Sequence, residues 1–376
     1  MKKAKNWNQP CPNKECEMYG QMNKGNIISK STYETQSGKR RVFLCKCCGH
    51  SFAETRDTVF FDLKTSEEKV IMALKMILMQ MSLAGICFVL GVKEETILSW
   101  LDRAFQKADL INKMLLRDIS VTEVQLDEMW SFVKRKVNGN KEEDITEEKK
   151  CEAEDGKQWI WVSYAPEFRL ILAMVVGPRT YENALYLIQM TASIVLGVPC
   201  FFSDGFSCYL PALIECYHTI KTFPKTGLRG RPKNPVKEPD KDLAYGQVVK
   251  ERKKGRIIGV THRIICGAER FINSGLKIST SLLERLNLTI RHSLAPLGRK
   301  TLNFSKKRDN LKKQTIFFQA YYNFARPHMS LREKVETTND KFVQKWAPRT
   351  PGMAAGLTDH VWSFRELLTI KFDHAP

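Results

Sequence analysis

Val121-Thr122-Glu123-Val124-Gln125-Leu126-Asp127-Glu128-Met129-Trp130-Ser131-Phe132 alternates along its length, with an acid at its middle. Val124, Leu126, Glu128, Trp130 and Phe132 fall on one face; Gln125, Asp127, Met129 and Ser131 fall on the other. The alternation predicts a strand from Val121 to Lys136. Asp127 is either a polar residue on a solvated face or a ligand aimed at a cation. Glu128 competes with it, but the same alternation turns Glu128 to the opposite face.

Downstream, Asn138 to Lys157 is a polar, acid-rich loop. Strands are predicted over Gln158 to Ala165 and Arg169 to Val176, joined by the turn Pro166-Glu167-Phe168. A helix over Tyr181 to Leu196 precedes a strand over Pro199 to Ser203, which ends at Asp204-Gly205. A helix over Phe206 to Cys216, a strand over Thr219 to Phe223 and a helix over about Ser279 to His292 complete the set. Three consecutive strands followed by alternating helix and strand predict a ribonuclease-H-like core with a mixed sheet, about residues 119–330. In that fold the first and fourth strands lie side by side. Asp127 and Asp204 are then neighbours, and Glu284 comes from the helix packed against them. Phosphodiester chemistry needs such a set. Hard divalent cations, Mg²⁺ or Mn²⁺, take carboxylate oxygens, and a pair of them can activate a nucleophile and stabilise a leaving oxygen. On the helix, Asn287 and Arg291 share a face with Glu284. Asn287 can orient a ligand water, and Arg291 can hold a phosphate or the carboxylate.

Charge points to the same chemistry. The chain carries 60 basic and 41 acidic residues, a net +19. Lys221 to Lys313 alone holds 24 basic and 7 acidic residues, which is +17 of the total. Such a block predicts a polyanionic partner, since each neutralised phosphate releases counterions. Arg229, Arg231, Lys250, Arg252, Lys253, Lys254 and Arg256 lie between the second and third acids, among Gly227, Gly230, Pro232, Pro235 and Pro239. This reads as an insertion, about residues 224–263, forming a mobile loop that DNA orders through its phosphates. A second basic cluster, Arg299-Lys300 and Lys306-Lys307-Arg308, leads to a helix through Ile316, Phe317 and Tyr321.

Ahead of the core, Cys11 and Cys16 form a C-x4-C pair, and Cys45 and Cys48 a C-x2-C pair. Each pair sits at an expected tight turn, with short strand-like runs at Asn26 to Lys30 and Arg40 to Leu44 between them. Two facing knuckles can hold structural Zn²⁺. Cys47 and His50 compete as ligands less well. A domain of residues 1–60 has too small a core to stand without metal. The other cysteines (Cys87, Cys151, Cys200, Cys208, Cys216 and Cys266) have no ligand spacing.

Residues 61–118 predict a helix-turn-helix. Thr65 or Ser66 caps a helix running to about Met81, a short helix follows, and Gly91 turns the chain into a second helix. Thr96, Ile97, Trp100 and Leu101 face its core. Lys93 opens this DNA-reading helix, though Glu94 and Glu95 keep it from being strongly basic. The apolar run Val70 to Val92 contains Lys75, Gln80 and Ser82, which favours a helix pair over a membrane span. Met1-Lys2-Lys3 leads into no apolar segment, and the cysteines suit metal and free thiols. A cytoplasmic, nucleoid-associated protein is expected. The tail, residues 331–376, is expected to dock an amphipathic piece or a partner subunit.

Three of these stretches carry a resemblance. Leu126-Asp127-Glu128-Met129-Trp130, Phe202-Ser203-Asp204-Gly205 and Leu283-Glu284-Arg285-Leu286-Asn287-Leu288-Thr289-Ile290-Arg291 resemble the catalytic motifs of bacterial and archaeal insertion-sequence transposases of the DDE class. The zinc ribbon and helix-turn-helix ahead of them are similar to the insertion-sequence-one-like group. So are Leu297-Gly298-Arg299-Lys300 with Phe304-Ser305-Lys306, while Tyr322-Asn323-Phe324-Ala325-Arg326-Pro327-His328 with Leu331 is similar to a downstream stretch of many such enzymes. The resemblance spans about residues 10–370. It implies a multidomain α/β (α+β) transposase that cuts element ends and joins them to target double-stranded DNA, as a homo-oligomer on DNA. Asp127, Asp204 and Glu284 would be its catalytic metal ligands, with Asn287, Arg326 and His328 in support. The competing readings are a non-catalytic DNA-binding regulator and a structure-specific nuclease on the same fold.

Overall fold

A computed structural model of the chain describes residues 7–134, 156–223, 233–253, 256–335 and 346–373. Its architecture is mixed α/β, with a six-stranded mixed sheet and ten α-helices among the described residues.

At the amino terminus, β1 (Ile27–Thr35), β2 (Gly38–Cys45) and β3 (Ser51–Ala53) form an antiparallel sheet. The sequence pattern gave only two of these strands, because β3 is three residues long. This unit buries little: Cys11, Cys16, Ile27, Phe43, Cys45 and Phe52 are its core.

Three helices follow. α1 (Glu67–Leu78) begins at Ser66, whose hydroxyl accepts the Lys69 N–H, and carries Glu67 and Glu68 in its first turn. It stops short of the expected Met81 because Gln80 turns to φ 62° and donates its N–H to the Ser293 carbonyl (3.0 Å). α2 (Leu83–Leu90) is capped by Ser82 and closed by Gly91 at φ 59°, a left-handed conformation that glycine adopts without steric cost. α3 (Glu94–Leu115) buries Ile97, Trp100, Leu101, Ala104, Ala108 and Ile111 along one stripe.

The central sheet is built from β5 (Glu123–Val133), β6 (Gly156–Ala165), β7 (Leu170–Gly177), β9 (Cys200–Ser203), β12 (Ala244–Lys253) and β13 (Arg256–Cys266), in the order β13-β12-β9-β5-β6-β7. β9 runs parallel to both β5 and β12; the other pairings are antiparallel. The two-residue strands β4 (Ile119–Ser120) and β8 (Val195–Leu196) pair separately. α4 (Tyr181–Ile194) and α5 (Tyr209–Cys216) connect the middle of the sheet; α6 (Ala268–Ser274), α7 (Ser281–Ser293) and α8 (Arg308–Ala320) follow it.

Two expectations fail here. Thr219 to Phe223 is not a strand of the central sheet. Among the described residues, β10 (His218–Lys221) pairs only with β11 (Val236–Pro239). The strand beside β9 is β12, from within the basic segment expected to be a mobile loop. Prolines, glycines and charge hid two long strands there, although β13 is rich in Ile and Val. Gly267 then turns β13 into α6 at φ 71°, so close to β12 that a Cβ would stand 2.5 Å from the Leu243 carbonyl oxygen.

β7 is apolar and buried throughout, and its outer edge is closed by side chains. Gln319 donates to the carbonyls of Ile171 (3.2 Å) and Leu172 (3.0 Å). Asn323 accepts the Ile171 N–H (3.0 Å) and donates to its carbonyl (2.9 Å). At Ile171 and Leu172 the edge is thus not free to pair with another strand.

The tail forms β14 (Glu333–Lys334), β15 (Trp346–Ala347), α9 (Pro351–Ala354) and α10 (Phe364–Thr369). It docks on its own chain. Val59 donates to the Leu368 carbonyl (3.1 Å), and Met22 to the Asp373 carboxylate (3.0 Å). Arg365 meets Glu67 (2.9 Å), which also pairs with Arg40 of β2. No helix among the described residues is long and apolar enough to cross a membrane.

Candidate active site

Two clusters of side chains that could hold a metal ion occur among the described residues. The first is Cys11, Cys16, Cys45 and Cys48, whose sulfurs all lie within 4.8 Å of one another. Cys11 and Cys48 are 3.7 Å apart, and Cys16 and Cys45 3.9 Å. Tetrahedral Zn²⁺ with bonds of about 2.3 Å sets sulfur separations of about 3.8 Å, so the set fits zinc. The Asn26 amide donates to Cys45 Sγ (3.3 Å), and the Met18 N–H to Cys16 Sγ (3.4 Å). Such donors favour thiolates. The His50 backbone N–H holds exposed Cys48 down at about 6. Burial pushes Cys16 up to about 11, so bound metal would have to displace its proton.

The second site lies in a gap in the sheet. β9 is paired with β5 only as far as Gln125 and with β12 only as far as Gln247. Beyond Ser203 both longer strands run on without it. The open space at the carboxyl end of β9 is a cleft of about 760 Å³. Asp127 enters from β5, Asp204 from the loop after β9, and Glu284 from α7; Lys250, Asn287, Arg291, Arg179 and Arg299 also line it.

Asp127 accepts a hydrogen bond from Asn287 Nδ2 (2.6 Å). The Asn287 Oδ1 is buried and has no hydrogen-bond partner among the described residues. A hydrated cation on Asp127 would supply that partner. Burial, and secondarily Asp204, pushes Asp127 up to about 6. Glu284 accepts from Thr280 Oγ1 (3.1 Å) and is ion-paired to Lys250 of β12.

Glu128, and not the expected Glu284, is the third acid of the close carboxylate cluster. Its carboxylate lies within 4.8 Å of those of Asp127 and Asp204, and these three could hold a divalent cation. Strand alternation does send Asp127 and Glu128 to opposite faces: Asp127 meets α7, while Glu128 accepts from Tyr209 of α5 (2.8 Å). Past Gln125, however, β9 no longer pairs with β5, and Asp204 sits beside that edge within 4.8 Å of the acids on both faces. Burial and Asp204 push Glu128 up to about 7. Sequence reasoning also missed Arg179, a lone basic residue in the turn between β7 and α4, where nothing in the pattern marks it.

The other expected contacts scatter. Lys93 is the exposed N-terminal cap residue of α3, away from the cleft. Lys253 and Arg256 are exposed where β12 meets β13. Arg326 donates to Ser293 Oγ (3.3 Å) and His328 accepts the Ser330 N–H (3.3 Å); neither lines the cleft. Arg229, Arg231, Lys254 and the Arg252 side chain lie outside the described residues.

No protein-family model and no curated protein matches this sequence. Among solved structures, the chain is similar to the Mos1 transposase paired-end complex with left transposon end, at 12% identity and a TM-score of 0.16. The match covers 38% of this chain and 55% of that one, so it spans about half of that chain's length.

Proposed function

We propose that this protein is a DNA transposase of the DDE class, cutting DNA strands and transferring their 3′-hydroxyl ends with divalent-metal help. One observation carries the reading: Asp127, Asp204 and Glu284, from a strand, a strand-end loop and a helix, line one cationic cleft. The sheet order, with β5 flanked by β6 and β9, supports a ribonuclease-H-like core over residues 119–330. Residues 1–60 form a zinc ribbon, 61–118 a helix-turn-helix unit and 331–376 the tail.

In this reading Asp127 and Asp204 hold Mg²⁺ or Mn²⁺, and Glu284 joins them. The bound cations would activate the attacking oxygen and stabilise the leaving one. Asn287 orients Asp127 and offers Oδ1 to a ligand water. Lys250 neutralises Glu284 until it exchanges that partner for a phosphate. Arg291 and Arg299 line the cleft with positive charge for the DNA backbone. Lys93, Lys253 and Arg256, with Arg229, Arg231, Arg252 and Lys254, would contact phosphates outside it. Arg326 and His328 support the fold behind α7. Synapsis of two DNA ends calls for two such sites, hence a homo-oligomer on DNA.

The test is strand cleavage and transfer on duplexes carrying the DNA that flanks the gene, with and without Mg²⁺. Asp204→Ala should abolish both reactions while DNA binding survives. Binding without any Mg²⁺-dependent cutting by the wild-type protein would instead identify a regulator. Preference for a four-way junction would identify a structure-specific nuclease.

A further inference from the structure

We propose that Arg179 is a substrate-contacting residue that grips a backbone phosphate of DNA in the cleft, and that Glu128 positions it. This rests on the nucleic-acid reading above but concerns a residue pair which that reading leaves idle.

The Glu128 side chain is 1% exposed, and both its oxygens are engaged. Arg179 donates to Oε1 through Nε (2.8 Å) and through a terminal nitrogen, while Tyr209 donates to Oε2 (2.8 Å). Three hydrogen bonds already take most of the acceptor capacity of Glu128. Asp127 and Asp204 are less encumbered. Glu128 is therefore better placed to hold Arg179 than to hold metal.

Arg179 is fixed in orientation as well as position. Its guanidinium carbon lies 4.2 Å from the centroid of the Phe206 ring and 4.9 Å from that of Trp159. One terminal nitrogen is 3.9 Å from Asp204 Oδ2, beside the reacting centre. Yet the side chain is 36% exposed and lines the cleft. A guanidinium has more N–H donors than one carboxylate oxygen uses. The remaining donors meet no other acceptor among the described residues beyond that distant Asp204 oxygen. A counter-ion needed only to neutralise Glu128 gains nothing from facing the cleft. A planar fork held rigid, with donors to spare, matches phosphate oxygens and pays little entropy on binding them.

The experiment is binding of the zinc-loaded full chain to a duplex of about 30 base pairs in Ca²⁺, across a salt series. Arg179→Gln should weaken binding about tenfold and lower the slope of log affinity against log salt by about 0.9, the loss of one phosphate contact. Arg179→Lys should restore the slope but not the full affinity, because the charge returns without the fork. Should Arg179→Gln fail to fold, the double variant Glu128→Gln/Arg179→Gln removes the buried carboxylate together with its partner and should show the same slope loss. An unchanged slope in the folded variant overturns the proposal, as does absence of DNA binding by the wild-type protein. The catalytic reading is judged separately. If Asp204→Ala still cuts DNA in Mg²⁺, that reading fails, whatever the Arg179 slope shows.

Discussion

The ribbon and the cleft both gather side chains that could hold metal, but by different means. Cys11 and Cys48, 37 positions apart, are brought together by two short turns and a three-stranded sheet with almost no other core. Asp127 and Asn287, 160 positions apart, are brought together by a sheet and helix packed into the largest core of the molecule. The ribbon is closed and sulfur-rich, so metal would hold the fold. The cleft is open and oxygen-rich, so the fold holds the place for metal. Stability should follow zinc in the first case and remain without cation in the second.

The largest effect should separate them directly. Chelating zinc, or Cys45→Ser, should cost the ribbon about 10 kcal/mol of metal-linked folding energy. Hydrogen exchange should then show loss of amide protection across Ile27–Ala53 while β5–β7 stays protected. Protection retained across the ribbon would mean that its sheet stands on packing alone. Conversely, Asp204→Asn should lower Mg²⁺-dependent strand cleavage about 10³-fold with little change in melting temperature. A large fall in stability would recast Asp204 as a structural turn residue before Gly205.

The contacts that tie the ribbon to the tail offer a smaller effect. Glu67 joins Arg40 of the ribbon to Arg365 of the tail. Glu67→Gln leaves a buried arginine without its anion and should cost about 3 kcal/mol by denaturant unfolding. If ribbon exchange rates do not change, the ribbon is held by other contacts. Asn287→Ala, which removes the hydrogen bond that orients Asp127, should weaken Mg²⁺ activation by about 10- to 100-fold.

Protonation gives the finest test. Asp127 stands at about 6, above its ordinary 3.8, through burial and Asp204. In the metal-free protein the stability tied to its proton is full below the unfolded pKa. It is lost as pH rises through about 6. A divalent cation competes with that proton. The rise in melting temperature given by Mg²⁺ should therefore grow between about pH 5 and about pH 7. A rise that ignores pH would remove Asp127 from the cation site.

Much of this was legible in the sequence. The cysteine spacing gave the thiol cluster, because knuckle geometry is local. Alternation gave β5, apolar runs bounded by turn residues gave β6 and β7, and Thr65 or Ser66 and Gly91 marked helix ends. The basic segment was misread because its prolines, glycines and charges speak of loop, while the pairing of β12 with β9 is a tertiary event. The tail's destination was open for the same reason, since α10 says nothing of Val59 or Glu67.

Residue type and spacing, then, determined the thiol cluster, the strand that carries Asp127 and the helix that carries Glu284. Only the tertiary structure decided that β9 ends early between two longer strands. That gap brings Asp204 to the edge of β5 that β9 no longer pairs, lets Glu128 approach from the opposite face and turns Arg179 into the cleft. Strand pairing over long separations depends on which partner buries the most surface and satisfies the most backbone groups, and no local pattern encodes that competition.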